Sequence, residues 1–140
     1  MRTQIESAFS GMDVSDEMMD KYIEVADKAY DLADFTVKDA KKQDDDSYVV
    51  TVVIKPSDIF SNSSNYVNDI ATEYADQGKD PTQTDVLMDI LVESLNRAIE
   101  ANSYGEETTL EVHVTADKDG AYGIEESEME TLEATMFPGE

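Results

Sequence analysis

Cysteine and tryptophan are absent from this 140-residue chain, histidine occurs once, proline three times, and basic residues number only 10. Each scarcity closes off a class of chemistry. Without cysteine there is no disulfide scaffold, no thiolate metal site and no thiol nucleophile. The lone His113 has no second histidine with which to build an imidazole metal site. Against the 10 basic residues stand 33 acidic ones, a net charge of -23. A phosphate backbone needs a positive footprint, so nucleic-acid binding is excluded, and an anionic membrane surface is disfavoured on the same ground. Long apolar runs are missing as well: Val49–Val50 and Val52–Ile54 are broken by Thr51, far short of the roughly 20 residues that span a bilayer. The chain holds no glycine-rich phosphate loop, no Gly-x-Ser-x-Gly elbow and no His-Glu-x-x-His pair. A basic stretch followed by an apolar one, the mark of a signal peptide, does not open it.

What remains is ample for a core. Hydrophobic residues make up 40% of the chain, with 7 Tyr and 4 Phe among them, so the acidity reads as a solvated skin over an ordinary interior rather than as disorder. From Met1 to Ile70 there are 7 basic and 15 acidic residues (net -8), and from Ala71 to Glu140 there are 3 and 18 (net -15). The more anionic half also carries the clearest helix and strand patterns. Length and the lack of any Pro-rich or repeated linker predict a single α+β domain over 15–137. An N-terminal segment, 1–14, precedes it as a short helix or a frayed end.

Within that domain the first helix is expected from about Ser15 to Ala33. Ser15 or Asp13 is its N-cap, acids occupy its first turns, and Met18, Met19, Tyr22, Ile23, Ala26, Ala29 and Tyr30 form one face. The stretch Phe35–Gln43 and the strand Tyr48–Lys55 flank a hairpin connection at Asp44–Asp46. Both faces of Tyr48–Lys55 are largely apolar, which marks a central strand, and Pro56 ends it. Ser57–Ser64 reads as turn and cap, followed by a helix from about Asn65 to Gln77 with Gly78 as its C-cap. Asp80–Pro81–Thr82–Gln83 reads as N-cap, N1 proline and N3 glutamine of a helix from Thr82 to about Ala101. In Leu110–Ala116, apolar Leu110, Val112, Val114 and Ala116 alternate with polar Glu111, His113 and Thr115. Asp117–Gly120 turns that strand into Ala121–Ile124, and Met129, Leu132 and Met136 are spaced for a closing helix.

Residues with possible chemistry are few. Aligning Gly120 with the invariant glycine of an EF-hand loop puts Asp117 and Asp119 at ligand positions three and five and Glu126 at position twelve. Thr115 then stands at position one, where an aspartate belongs, and the entering segment alternates like a strand. A polar hairpin turn accounts for the same residues, so Asp117, Asp119 and Glu126 are metal candidates for calcium alone. No other cofactor is implied. His113, between Glu111 and Thr115, could be raised in pKa by a carboxylate, but no nucleophile accompanies it, and the reading is a solvent-facing histidine. Acidic pairs abound in so anionic a chain, so none of them points to catalysis. The seven tyrosines are spread over every element and read as core and core-edge packing. Asn62–Ser63–Ser64 is a glycosylation sequon of low specificity.

Two segments carry a family likeness: Ser47–Asp58 (SYVVTVVIKPSD) and Leu110–Leu132, in which a Val-rich strand, a DKDG turn and a short Gly-x-Ile strand lead into an acidic tail. In the order of its elements the chain resembles uncharacterised domains of lipid-anchored surface proteins of Gram-positive gut bacteria. The resemblance implies a cystatin-like or NTF2-like (nuclear transport factor 2-like) fold, with helices packed on one face of a curved antiparallel sheet of about four strands. It implies an extracellular module, anchored through a leader since removed, because the chain itself carries neither leader nor lipid-bearing cysteine. The function expected is a non-enzymatic one in binding or assembly, with a protein or small molecule as partner. The alternative is a small pocket enzyme or ligand carrier using the concavity of the sheet. Val49 and Val53 are the expected discriminators: lining an open cavity they favour the pocket, and covered by a helix they are core. The crowding of like charge also has a thermal consequence. The melting temperature should rise with added salt, modestly for monovalent and more for divalent ions; a flat response in a thermal scan would dispose of the acidic-skin account.

Overall fold

The computed structural model describes residues 2–140. Among these residues the order is α1 (Arg2–Ala8), α2 (Asp16–Tyr30), β1 (Asp34–Lys42), β2 (Tyr48–Lys55), α3 (Ile59–Asp76), α4 (Thr84–Glu100), β3 (Thr108–Ala116), β4 (Tyr122–Ile124) and α5 (Glu126–Met136). The class is α+β, with one four-stranded antiparallel sheet. The contacts divide into two compact units. One comprises the residues up to Leu32 together with Ile59–Asn102, and the other Ala33–Asp58 together with Ser103–Glu140.

The first unit is helical. Ser15 caps α2 as expected, its Oγ accepting the Met18 N–H at 3.4 Å. The core gathers Val25, Ala26 and Ala29 of α2, Ile59 of α3, and Leu95 and Ala98 of α4, with Tyr22, Phe60 and Val92 packed against them. Small residues at Ala26, Ala29 and Ala98 allow close helix approach. Arg97 fastens α4 to α3 with a two-pronged contact to Glu73 (3.1 and 2.8 Å) while also reaching Glu93 on its own helix at 3.2 Å. Two helix starts differ from the sequence reading. α3 begins at Ile59, not Asn65, because Ile59 is fully buried and the hydroxyls of Ser63 and Ser64 donate to the Phe60 carbonyl inside the helix. The serine-rich stretch thus satisfies its polar groups without a turn. α4 begins at Thr84, not Thr82, because the Asp80 carboxylate accepts the N–H and the hydroxyl of Thr82 (2.9 and 2.7 Å), closing a turn of its own. Gly78 ends α3 as expected. At φ +79° it donates to Ala75, and Lys79 donates back to Tyr74, the paired bonds of a left-handed helix stop.

The second unit is the sheet with α5. Its strand order is β1-β2-β3-β4, so β2 is central, as its two apolar faces predict. Gln43–Ser47 closes the first hairpin, with Asp46 at φ 64° and the Asp45 carboxylate accepting from both the N–H and the hydroxyl of Ser47. β1 is an edge strand. It is irregular between Val37 and Ala40, and it carries Lys38, Lys41 and Lys42, all features that discourage pairing with a further strand. Where the chain leaves β2 and where it re-enters before β3, the two ends are stapled. Asp58 accepts the N–H and hydroxyl of Ser103 (2.9 and 2.6 Å), the Asp58 N–H donates to the Ser103 carbonyl, and Gly105 donates to Pro56. α5 lies over one sheet face, where Leu132 and Met136 meet Val52, Ile54 and Val112.

In the β3–β4 turn Gly120 sits at φ +81°, a conformation that costs an L residue roughly 1–2 kcal/mol. Gly120→Ala should lower stability by about 1 kcal/mol in urea denaturation, whereas Gly11→Ala, with open space around it and no left-handed φ, should stay within about 0.5 kcal/mol of the parent. Equal effects at the two positions would contradict this account of the turn.

Candidate functional site

Antiparallel pairing places opposite residues on a common face. Val37 lies opposite Val52, Val50 opposite Val112, and Val114 opposite Ile124, so strand alternation alone assembles an apolar floor across all four strands. α5 contributes Met129, Leu132 and Met136 from above, residues three and four apart along one side of the helix. Floor and helix enclose a pocket of about 290 Å³, at the small end of ligand cavities, which run from roughly 300 Å³ upward. No polar atom contributes to its lining, and no ionisable side chain is among the residues that form it. Four of these are unusually open for large apolar side chains: Phe35 (53% exposed), Val37 (56%), Met129 (50%) and Ile124 (38%). Tyr122 flanks them, its ring 5.7 Å from that of Tyr48. Apolar surface gathered in one place in this way departs from the scattered exposure that is the ordinary pattern.

The two residues named as discriminators, Val49 and Val53, do not line the cavity. Val49 and Val53 point away from it, and Val50 and Val52 line it instead. In the sequence Met129 is legible only as part of the closing helix, and Phe35 and Val37 only as part of a strand-like stretch, none of them as a site residue. Their signal was present as an i, i+2 apolar pair in β1 and a methionine in phase with Leu132, but its meaning depends on knowing that α5 covers this particular face.

Asp117, Asp119 and Glu126 are placed by the β3–β4 turn and the start of α5. One Asp117 oxygen accepts the N–H groups of Asp119 (2.8 Å) and Ala121 (3.0 Å), and the Asp117 backbone exchanges bonds with Ala121 and Gly120. Glu126 is the first residue of α5 and is exposed. Among the described residues no group of three or more His, Cys, Asp or Glu side chains comes together in a form that could hold a metal ion. In this arrangement Asp117 shapes the turn.

His113 has a partner that its sequence neighbours do not suggest. β4 pairs only with Val114–Ala116, so the His113 N–H on that side of β3 lies beyond the end of β4. Glu128 of α5 fills the gap: its two carboxylate oxygens accept the His113 N–H at 3.2 and 3.1 Å, and one of them meets the ring Nδ1 at 2.6 Å. The ring is exposed, as a solvent-facing histidine would be, yet it is tied. The hydrogen bond to Glu128 raises the His113 pKa above its ordinary value, with the charges of Glu128, Glu111 and Glu125 adding to it. The same bond holds the Glu128 carboxyl below its usual range. A raised histidine pKa stabilises the folded chain fully below the unfolded value near 6.5, and the contribution fades as pH rises through the folded value. On the acid side it is lost as pH falls through the lowered Glu128 value. The His113 midpoint, followed by NMR, should therefore lie above 6.5 in the folded protein and move down in Glu128→Gln; a midpoint indifferent to that substitution would deny the pairing.

No protein-family model matches the chain, and no curated protein matches it. Among solved structures, its fold is similar to that of a "putative lipoprotein (ycdA)" from Bacillus subtilis, with a TM-score of 0.67 at 14% identity. The alignment covers 97% of this chain and 44% of the other, so the chain spans less than half the length of that protein. No helix among the described residues is long and apolar enough to cross a membrane. At such low identity the likeness extends to the fold: this chain has the architecture of one segment of that Bacillus subtilis protein.

Proposed function

We propose that this chain is a non-catalytic module of a bacterial cell-surface protein, and that it binds an apolar group in the pocket beneath α5. The wholly apolar lining carries this reading. Acid–base or nucleophilic catalysis needs an ionisable or nucleophilic side chain within reach of the reacting atom, and the residues around this cavity offer none. What they offer is shape and desolvation, which suit holding a ligand rather than transforming it. The carrier half of the alternative reading is thus favoured over its enzyme half. Fold likeness to a "putative lipoprotein" supports a place outside the cell, on a longer lipid-anchored chain. The cystatin-like or NTF2-like assignment belongs to the same reading, since such folds use the concavity of the sheet.

A net charge of -23 would repel an anionic probe, so the uncharged fluorophore N-phenylnaphthylamine is the suitable one. The protein should bind it saturably. Val37→Lys and Met129→Lys each place a charge at the open mouth of the pocket, where the parent side chain is about half exposed, and each should weaken binding at least about tenfold with little change in melting temperature. Absence of saturable binding by the parent, or parent-like binding by both variants, would overturn the reading.

A further inference from the structure

We propose that the occupant of this pocket is a small amphiphile with a cationic head, its apolar chain under α5 and its ammonium group at the mouth beside Glu126 and Glu130. The inference rests on the reading of the pocket as a binding site and adds the chemical class of the ligand.

The floor holds the chain, and the rim selects the head. Every residue lining the cavity is apolar, so the buried part of a ligand gains by leaving water whatever charge it carries elsewhere. A charged head that followed it inward would lose its hydration with nothing to replace it. The head therefore stays at the mouth, where Phe35, Val37 and Met129 are exposed. Charge reaches that mouth from the sheet and from α5.

The contribution of the sheet is balanced. Strand alternation puts Lys42, opposite Tyr48, on the face of the pocket, and its ammonium is paired with the Asp46 carboxylate at 2.8 Å. Lys41, opposite Val49, and Lys55, opposite Asp34, lie on the other face, where Lys55 Nζ stands 3.8 Å from the Asp34 carboxylate. Lys38 and Asp39 are neighbours in the irregular stretch between Val37 and Ala40, and their charges offset one another.

The contribution of α5 is not balanced. The helix holds Glu126, Glu128, Glu130 and Glu133 and no Lys, Arg or His. Glu128 turns to the edge of β3, where it meets His113. Glu126 and Glu130, both exposed, are four apart and share the flank of the helix away from Glu128; Glu133 extends their row. β1, which carries Phe35 and Val37, is at the opposite edge of the sheet from β4, so that flank is the one toward the mouth. Like charges at this spacing disfavour a helix, and the helix dipole compensates only within the first turn, which Glu130 lies beyond. A cation at the mouth relieves this repulsion, and a carboxylate or sulfate there adds to it. The net charge of -23 acts in the same sense at longer range.

Octylammonium, octanol and octanoate share one chain and differ in the charge of the head. Near pH 7 each is used to displace bound N-phenylnaphthylamine from the whole chain. Octylammonium should act at a concentration about tenfold below octanoate, because exposed carboxylates attract one head and repel the other. This preference should shrink in about 0.5 M sodium chloride. It should fall about three- to tenfold in the double variant Glu126→Gln, Glu130→Gln, with octanol unaffected. The double variant Asp34→Asn, Glu111→Gln removes the same charge from the other face of the sheet and should stay within about twofold of the parent. No preference in the parent, or an equal loss in the two variants, overturns the cationic head and leaves the pocket reading standing. Failure of all three to displace the bound probe overturns the alkyl chain as the occupant, and failure of N-phenylnaphthylamine itself to bind overturns the pocket reading and this inference with it.

Discussion

The pairing of β2 with β3 is the constraint on which the sheet unit depends. Once Tyr48 lies opposite Val114 and Ile54 opposite Thr108, strand alternation dictates which valines share a face. That face must then be covered, because an open sheet of valine and isoleucine would invite further association. α5 covers it only in part. Val52, Ile54 and Val112 are sealed beneath Leu132 and Met136, whereas the outer floor on β1 and β4 stays open under Met129. The pocket is thus what remains when an eleven-residue helix is laid over four strands.

Charge shapes the rest. Several ion pairs lie on exposed surface, as with Arg2 to Glu6 and Lys28 to Glu24, and such pairs stabilise little. The two-pronged contact of Arg97 with Glu73 differs in kind. Its planar guanidinium holds two helices at a set register and pulls the Glu73 carboxyl below its usual range. Elsewhere the acids keep the surface solvated and set an electrostatic repulsion between copies of the chain.

Much of this architecture was legible in the sequence, and the limits are instructive. The apolar periodicity of α2, the double apolar face of β2 and the turn residues Gly78 and Gly120 each express a local rule, and each appears where that rule places it. The starts of α3 and α4 were misjudged because Ser and Asp have two local uses. Ser63 and Ser64 can bond back within a helix as readily as terminate one, and Asp80 can close a turn as readily as cap. Only the burial of Ile59 decides the first case, and burial is not local. The candidate site was least legible. Its parts come from β1, β2, β3, β4 and α5, and His113 meets Glu128 because β4 is too short to occupy the whole edge of β3, a fact of register rather than of motif.

The staple between Asp58 and Ser103 bears on how the chain acquires its structure. β2 and β3 are neighbours in the sheet, yet all of α3 and α4 lies between them in sequence, and closing so long a loop carries an entropic penalty that slows strand pairing. Two antiparallel helices joined by a short turn form from local contacts, and they bring their outer ends back to one place. Asp58 and Ser103 sit at those ends. The hydrogen bonds between Asp58 and Ser103 close that loop at its base and hold the ends of β2 and β3 in register.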